Sequence, residues 1–441
     1  MQLRAAPHGA LGGRIRVPGD KSISHRSLML AGLAVGESRV SGLLEGEDVI
    51  ATARAMRALG CAVEREGDGE WTVHGRGTAG MAEPADVLDM GNAGTGARLL
   101  MGILAGHAFT TTITGDASLR SRPMGRIREP LERMGAMFMA RRGDRLPLAL
   151  RGSDTLLPID YESPVASAQV KSAVMLAGLH AAGRTTVTEP LPSRDHTERM
   201  LTAMGASIES EPLADGRLRV SVTGQQELHP QRFVVPGDPS SAAFPLAAAV
   251  LRAKTPVTIE GISVNPLRIG LVTTLREMGA SITFANERTV AGEPVADLVV
   301  EAAELRGIEV PAARVPSMVD EYPVLSVVAA FAGGETIMRG LAELRVKETD
   351  RLAVMADGLA RCGVDVRIEG DDLIVRGGAA TRKATIDAKL DHRIAMSFLV
   401  LGGLGREPVT VSGAEAIDTS FPGFGTLMNG LGADITKAVS S

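Results

Sequence analysis

The sequence predicts an α/β (α+β) protein of two similar lobes, each made of three strand-and-helix units, and three observations carry that prediction. A helical pattern that ends in glycine and runs into a short strand-like stretch recurs six times, at Gly60, Gly135, Gly205, Gly279, Gly363 and Gly432, at spacings of roughly 70 to 84 residues. The phrase VPGD occurs twice, at 17–20 and 235–238, with three of those glycines between the copies. A chain of 441 residues is also too long for one ordinary domain. The simplest arrangement puts residues 20–238 in one lobe and residues 1–19 plus 239–441 in the other, with hinges near 17–20 and 235–238. The N-terminal strand then belongs with the C-terminal half.

The elements follow in chain order. GRIRV is strand-like and ends at VPGDKSISHR, where Pro fixes one backbone angle and Gly frees the next, so each VPGD is a turn at a strand end. The helix-glycine-strand phrases are ARAMRALGCAV, REPLERMGAMF, ERMLTAMGASI, TTLREMGASI, DGLARCGVDV and TLMNGLGADI. In each, the glycine stands where a helix end calls for a left-handed residue before the next strand. Polar clusters interrupt the hydrophobic pattern between them: DKSISHR, GNAGTGARLL, SRPMGR, SAQVKSA, SRDHTER, MVDEYP, RVKETDR and DHRIAMSF. Two lobes joined by two crossings leave a cleft, the usual place for a ligand, and these clusters are the candidates to line it.

Composition narrows the ligand. The net charge is −5 and the sequence pI is about 6.0, with no basic surplus for nucleic acid. Repeated lysines and arginines beside strand ends on such a chain therefore point to small polyanions. The longest apolar run, VLSVVAAFA, falls far short of the roughly 20 residues that span a bilayer. No signal or transit pattern opens the chain, and two cysteines fit a reducing compartment, so a cytoplasmic location is expected.

Each cluster also has a plain structural explanation. GNAGTG can be a phosphate cradle at a helix start or simply a tight turn. DKSISHR lacks the spacing of a nucleotide P-loop. RVKETDR can be a solvated helix start capped by Thr349 or Glu348. His25, His196 and His392 show no metal-ligand spacing, and no metal is expected. Cys61 and Cys362 each sit beside a repeat glycine, a packing position.

Taken together, VPGDKSISHR, GNAGTGARL, GDASLRSRPMGR, PVASAQVKSAVMLAGL, VPGDPSSAAFPLAAA, DEYPVLSV, LRVKETDRL and DHRIAMSFLV, in this order over essentially the whole chain, resemble the 5-enolpyruvylshikimate-3-phosphate (EPSP) synthase family, on the side of its class II branch. The resemblance implies the enolpyruvyl transferase fold, an inside-out α/β barrel in which each lobe holds three βαβαββ units and two strands cross between lobes. It implies transfer of the enolpyruvyl group of phosphoenolpyruvate to the 5-hydroxyl of shikimate 3-phosphate in the cleft, with no cofactor and as a monomer.

The resemblance also implies roles. Shikimate 3-phosphate would be held by Lys21, Ser22, Arg26, Ser167, Ala168, Gln169, Arg194, Asp320 and Lys347. Phosphoenolpyruvate would meet Lys21, Gly94, Arg122, Gln169, Arg351 and Arg393. Asp320 would take the hydroxyl proton, and Glu348 or Lys21 would protonate the methylene. Both substrates carry a carboxylate and a phosphate, so several cations are needed before the two can approach.

Thr419 stands where one branch of the family has a lysine, so no lysine role is carried over there. Herbicide-tolerant class II members have alanine where this chain has Gly94, so sensitivity to glyphosate is expected. Three rivals compare less well. The sister transferase acting on UDP-N-acetylglucosamine places a cysteine in a mobile loop, unlike Cys61 and Cys362. A phosphoryl-transfer enzyme would need a nucleotide loop and magnesium-binding acids. A non-catalytic anion-binding repeat protein leaves Asp320 and Glu348 without a purpose.

Overall fold

The six repeat glycines all take up positive φ, from 85° at Gly363 to 112° at Gly135, a region L side chains rarely enter. Each follows an outer helix and turns the chain into a strand: Gly135, for example, links helix Gly125–Met134 to strand Met137–Arg141. These features come from a computed structural model, which describes residues 1–7, 9–378 and 380–438.

Among the described residues the strands form six four-stranded sheets with one shared topology. One unit shows it without interruption: strand Leu88–Asp89, helix Gly94–Ala105, strand Thr110–Thr114, helix Gly125–Met134, then strands Met137–Arg141 and Arg145–Arg151. The first two strands pair in parallel, and the second and third in chain order both lie antiparallel to the last. This is the βαβαββ unit. Three sheets recruit a strand from a distance. Val35–Ser41 takes Arg232–Val234 as its parallel edge, Ala253–Ser263 takes Leu11–Ile15, and Gln2–Ala6 lies between Val409–Ser412 and Asp434–Lys437.

The chain divides into two compact units. The middle unit holds Lys21–Val235 together with Val290–Glu293; the terminal unit holds Met1–Asp20, Pro236–Thr289 and Pro294–Ser441. Each has its own hydrophobic core. In the middle unit helices Lys21–Leu33, Gly94–Ala105 and Ala168–Gly178 are buried on nearly every side; in the terminal unit helices Pro239–Arg252, Tyr322–Phe331 and His392–Leu404 are. A helix apolar all round must be enclosed, so helices occupy the inside and the sheets lie outside. Close packing explains Gly102: a Cβ there would lie 2.3 Å from the Ala173 carbonyl oxygen of the neighbouring inner helix.

The Pro-Gly-Asp parts of the two VPGD copies meet within the terminal unit. The Asp20 amide donates to the Pro236 carbonyl at 2.8 Å and the Asp238 amide to the Pro18 carbonyl at 2.9 Å. Buried Arg268 ties them by donating to Asp20 at 3.0 Å, to Asp238 at 3.1 Å and to the Ser240 hydroxyl at 3.0 Å. Burial opposes its charge, yet Asp20 and Asp238 hold Arg268 above the usual arginine range.

Candidate active site

The candidate residues concentrate where the inner helices begin. A helix N-terminus exposes unsatisfied N–H groups and the positive end of the dipole, which favours anions. In the middle unit, Lys21 and Ser22 open one inner helix, Gly94 opens the second, and Ser167 caps the third, with Ala168 and Gln169 in its first turn. Side chains tie these starts together. Gln169 Nε2 donates to Thr95 Oγ1 at 3.1 Å, and Arg26 Nη2 donates to Ser172 Oγ at 2.8 Å. Buried Arg26 also donates from Nε to Thr197 Oγ1 at 2.7 Å and from Nη1 to the Ser22 carbonyl at 3.0 Å. Lys21 pairs with Asp48. Arg122 is held by Asn92 Oδ1 at 2.6 Å and Ser118 Oγ at 3.0 Å, and its Nη1 lies 3.0 Å from where a Cβ on Gly94 would sit. Arg194 is half-buried, just before helix His196–Ala203.

The terminal unit gathers acids around one arginine. Arg351, only 1 % exposed, donates from Nε and Nη2 to Asp391 at 2.8 and 3.2 Å and from Nη1 to Asp320 Oδ1 at 3.1 Å. Glu348 Oε2 is 2.6 Å from Arg351 Nη2, and Lys347 Nζ lies 3.8 Å from Asp320. Burial opposes the charge of Arg351, yet Asp391, Glu348 and Asp320 hold it above the usual range. Arg393 donates to the Ser240 carbonyl at 2.9 Å, which joins the starts of two inner helices. The structure thus brings Asp320, Lys347, Glu348 and Arg351 into one cluster, with Arg393 beside its anchor Asp391.

Several neighbours of the candidate residues escape a sequence reading. Asp391 orients Arg351 and accepts from the Arg393 amide at 2.9 Å; an aspartate just before an apolar helix is its one sequence signal. Asn92, Ser118 and Asp48 serve Arg122 and Lys21 through contacts that no spacing announces. The RVKETDR helix is capped by Asp350, which accepts from the Ala353 amide at 3.0 Å, and not by Thr349 or Glu348, because the helix begins one residue later, at Arg351. His196 lies with Asp195 and Glu293, their ligand-type atoms within 4.8 Å, but Nδ1 of His196 is bonded to Glu293 at 2.6 Å and Arg199 occupies Asp195 at 2.8 Å. Cys61 and Cys362 are buried, their thiols pushed up by burial to about 11 and about 12. Such thiols do not act as nucleophiles.

Six βαβαββ units and polar clusters at inner-helix starts define the enolpyruvyl transferase class. An enolpyruvyl transferase from Streptomyces tendae superposes with a TM-score of 0.79 at 18% identity, over 100% of this chain and 99% of that one, which shows the fold alone. EPSP synthase from Acinetobacter baumannii matches with a TM-score of 0.87 at 43% identity, over 99% of this chain and 100% of that chain. The family model for EPSP synthase (3-phosphoshikimate 1-carboxyvinyltransferase) matches residues 5–428. Relatives named 3-phosphoshikimate 1-carboxyvinyltransferase include those of Rhodospirillum rubrum, 61% identical over 98% of both chains, and Paramagnetospirillum magneticum, 60% identical over 98% of this chain and 97% of that one. The chain belongs to the EPSP synthase family.

Proposed function

We propose that this enzyme transfers the enolpyruvyl group of phosphoenolpyruvate to the 5-hydroxyl of shikimate 3-phosphate and releases phosphate. The observation that carries the reading is the terminal cluster, where Asp320 and Glu348 both contact one buried arginine that Asp391 fixes in place. An addition to an enol phosphate needs an acid and a base set among cations, and that cluster supplies both.

In this reading Lys21, Ser22, Arg26, Ser167, Ala168, Gln169, Arg194 and Lys347 bind shikimate 3-phosphate. Lys21, the backbone at Gly94, Arg122, Gln169, Arg351 and Arg393 bind phosphoenolpyruvate. Asp320 removes the hydroxyl proton as its oxygen bonds to C2, while Glu348 or Lys21 delivers a proton to C3, giving a tetrahedral adduct. Loss of a C3 proton and departure of phosphate from C2 restore the double bond in the product. Glyphosate competes with phosphoenolpyruvate because Gly94 leaves room beside Arg122. The enzyme works as a cytoplasmic monomer; among the described residues no helix is long and apolar enough to cross a membrane.

The test is phosphate release by the purified protein. Release that needs both substrates, with an enolpyruvyl product confirmed by mass, is the expected result. Release with UDP-N-acetylglucosamine in place of shikimate 3-phosphate would overturn the substrate assignment, and silence with both acceptors would overturn the reaction.

A further inference from the structure

Lys171 is completely buried, as is Glu189, and Glu198 is nearly so. The Lys171 ammonium donates to the Ser193 carbonyl at 3.2 Å and forms ion pairs with Glu189 Oε2 and Glu198 Oε1, each at 2.8 Å. Glu189 in turn accepts the Ser167 amide at 2.9 Å and the Ser193 hydroxyl at 2.7 and 2.8 Å. Burial opposes the lysine's charge, but Glu198 and Glu189 hold it above the usual range, so the ammonium stays charged.

Stability alone does not account for this cluster. Buried ion sets are commonly no more stabilising than apolar side chains of the same volume, because desolvation offsets the attraction. Where the contacts lead is more telling. Ser167 caps the inner helix that also carries Ala168 and Gln169, and Ser193 precedes Arg194. Glu198 is preceded at its helix start by Thr197, which accepts from Arg26. One lysine therefore refers two segments to a common point, the helix start at Ser167, Ala168 and Gln169 and the stretch from Ser193 to Glu198 that includes Arg194, and each carries a residue assigned above to shikimate 3-phosphate.

We propose that the Lys171–Glu189–Glu198 cluster is a positioning device that sets the spacing of Ser167 and Arg194 for the phosphate end of shikimate 3-phosphate. Lys171 does not touch substrate; it acts through the two segments it joins. The inference rests on the functional reading above.

Lys171→Met keeps most of the volume and removes the three contacts. Shikimate 3-phosphate binding by calorimetry should weaken about tenfold or more, with KM for that substrate rising in step, while KM for phosphoenolpyruvate and kcat stay within about threefold. A merely structural cluster would instead lower Tm and leave both KM values alone. Glu189→Gln, which changes charge without changing volume, serves if Lys171→Met does not fold, and should raise the same KM about fivefold. A folded variant that binds shikimate 3-phosphate within twofold of the wild type overturns the inference alone. Wild-type protein that does not bind it at all overturns the functional reading and the inference with it.

Discussion

Gly94→Ala separates binding of one substrate from everything else. The added Cβ would lie 3.0 Å from Nη1 of Arg122 and 3.0 Å from Nη1 of Arg98, with Leu119 at 3.5 Å. Ordinary carbon contacts begin near 3.5 Å, so the guanidinium tips must retreat by about half an ångström. Arg122 cannot retreat freely, because Asn92 and Ser118 hold its Nη2. The expected loss is one charge-assisted hydrogen bond to phosphoenolpyruvate, about 1.5–3 kcal/mol, or about 10- to 150-fold in its KM. Glyphosate inhibition should weaken at least as much. Gly94 is the first residue of its helix and does not need a left-handed φ, so alanine costs the backbone nothing and should leave Tm unchanged or slightly raised. Steady-state kinetics with each substrate varied in turn, alongside calorimetric melting, checks this. A KM for phosphoenolpyruvate unchanged within twofold, or an equal rise in KM for shikimate 3-phosphate, would refute the reasoning.

Other consequences follow from the buried charges. Arg268→Met removes the buried cation shared by the Asp20 and Asp238 carboxylates and should cost about 3–5 kcal/mol, read as a large drop in Tm; a shift under 2 °C would show that their remaining partners suffice. His180 is pushed down to about 3, chiefly by burial and also by neighbouring His107, so the unfolded chain binds its proton first. Stability of the middle unit is therefore full above the unfolded value of about 6.5 and falls toward pH 3, by at most about 2 kcal/mol at pH 5 from this group. Urea titrations followed by Trp71 emission should show that loss, and His180→Gln should flatten it; an unchanged acid limb would assign the loss elsewhere. Maleimide should leave folded protein unlabelled at pH 8 and modify both Cys61 and Cys362 once urea unfolds it, whereas rapid labelling of the native state would contradict their burial.

The fold was legible because its signal is periodic. Six glycines forced to positive φ mark six helix ends, and the doubled VPGD marks the two turns that bond to each other. Strand exchange was only partly legible: the N-terminal strand was expected with the C-terminal half, but nothing in Arg232–Val234 announces that it completes the sheet of Val35–Ser41. Likewise the grouping of Val290–Glu293 with the middle unit depends on tertiary contacts of a hairpin tip. In the candidate site, residues within polar motifs stood out, because lysines and arginines rarely interrupt apolar helices without a reason. Their supports did not. Arg268 lies in no polar cluster; Asp391 and Lys171 lie within polar motifs yet announce no role there, since Asp391 resembles any helix cap and Lys171 gains meaning only from Glu189 and Glu198, residues whose proximity the fold creates.

The proposed reaction is addition of the shikimate hydroxyl to a protonated enol, followed by elimination of phosphate. Running the reaction in D2O and analysing the product methylene by mass tests it most directly. Deuteron addition at C3 makes a CH2D group, so loss of either original hydrogen leaves solvent deuterium in the methylene, whereas loss of the added deuteron does not; part of the product must therefore carry the label, and only when shikimate 3-phosphate is present. Asp320→Asn should slow that incorporation by roughly 10²- to 10⁴-fold. An enolpyruvyl product free of deuterium, or deuterium in phosphoenolpyruvate without shikimate 3-phosphate, would contradict the account.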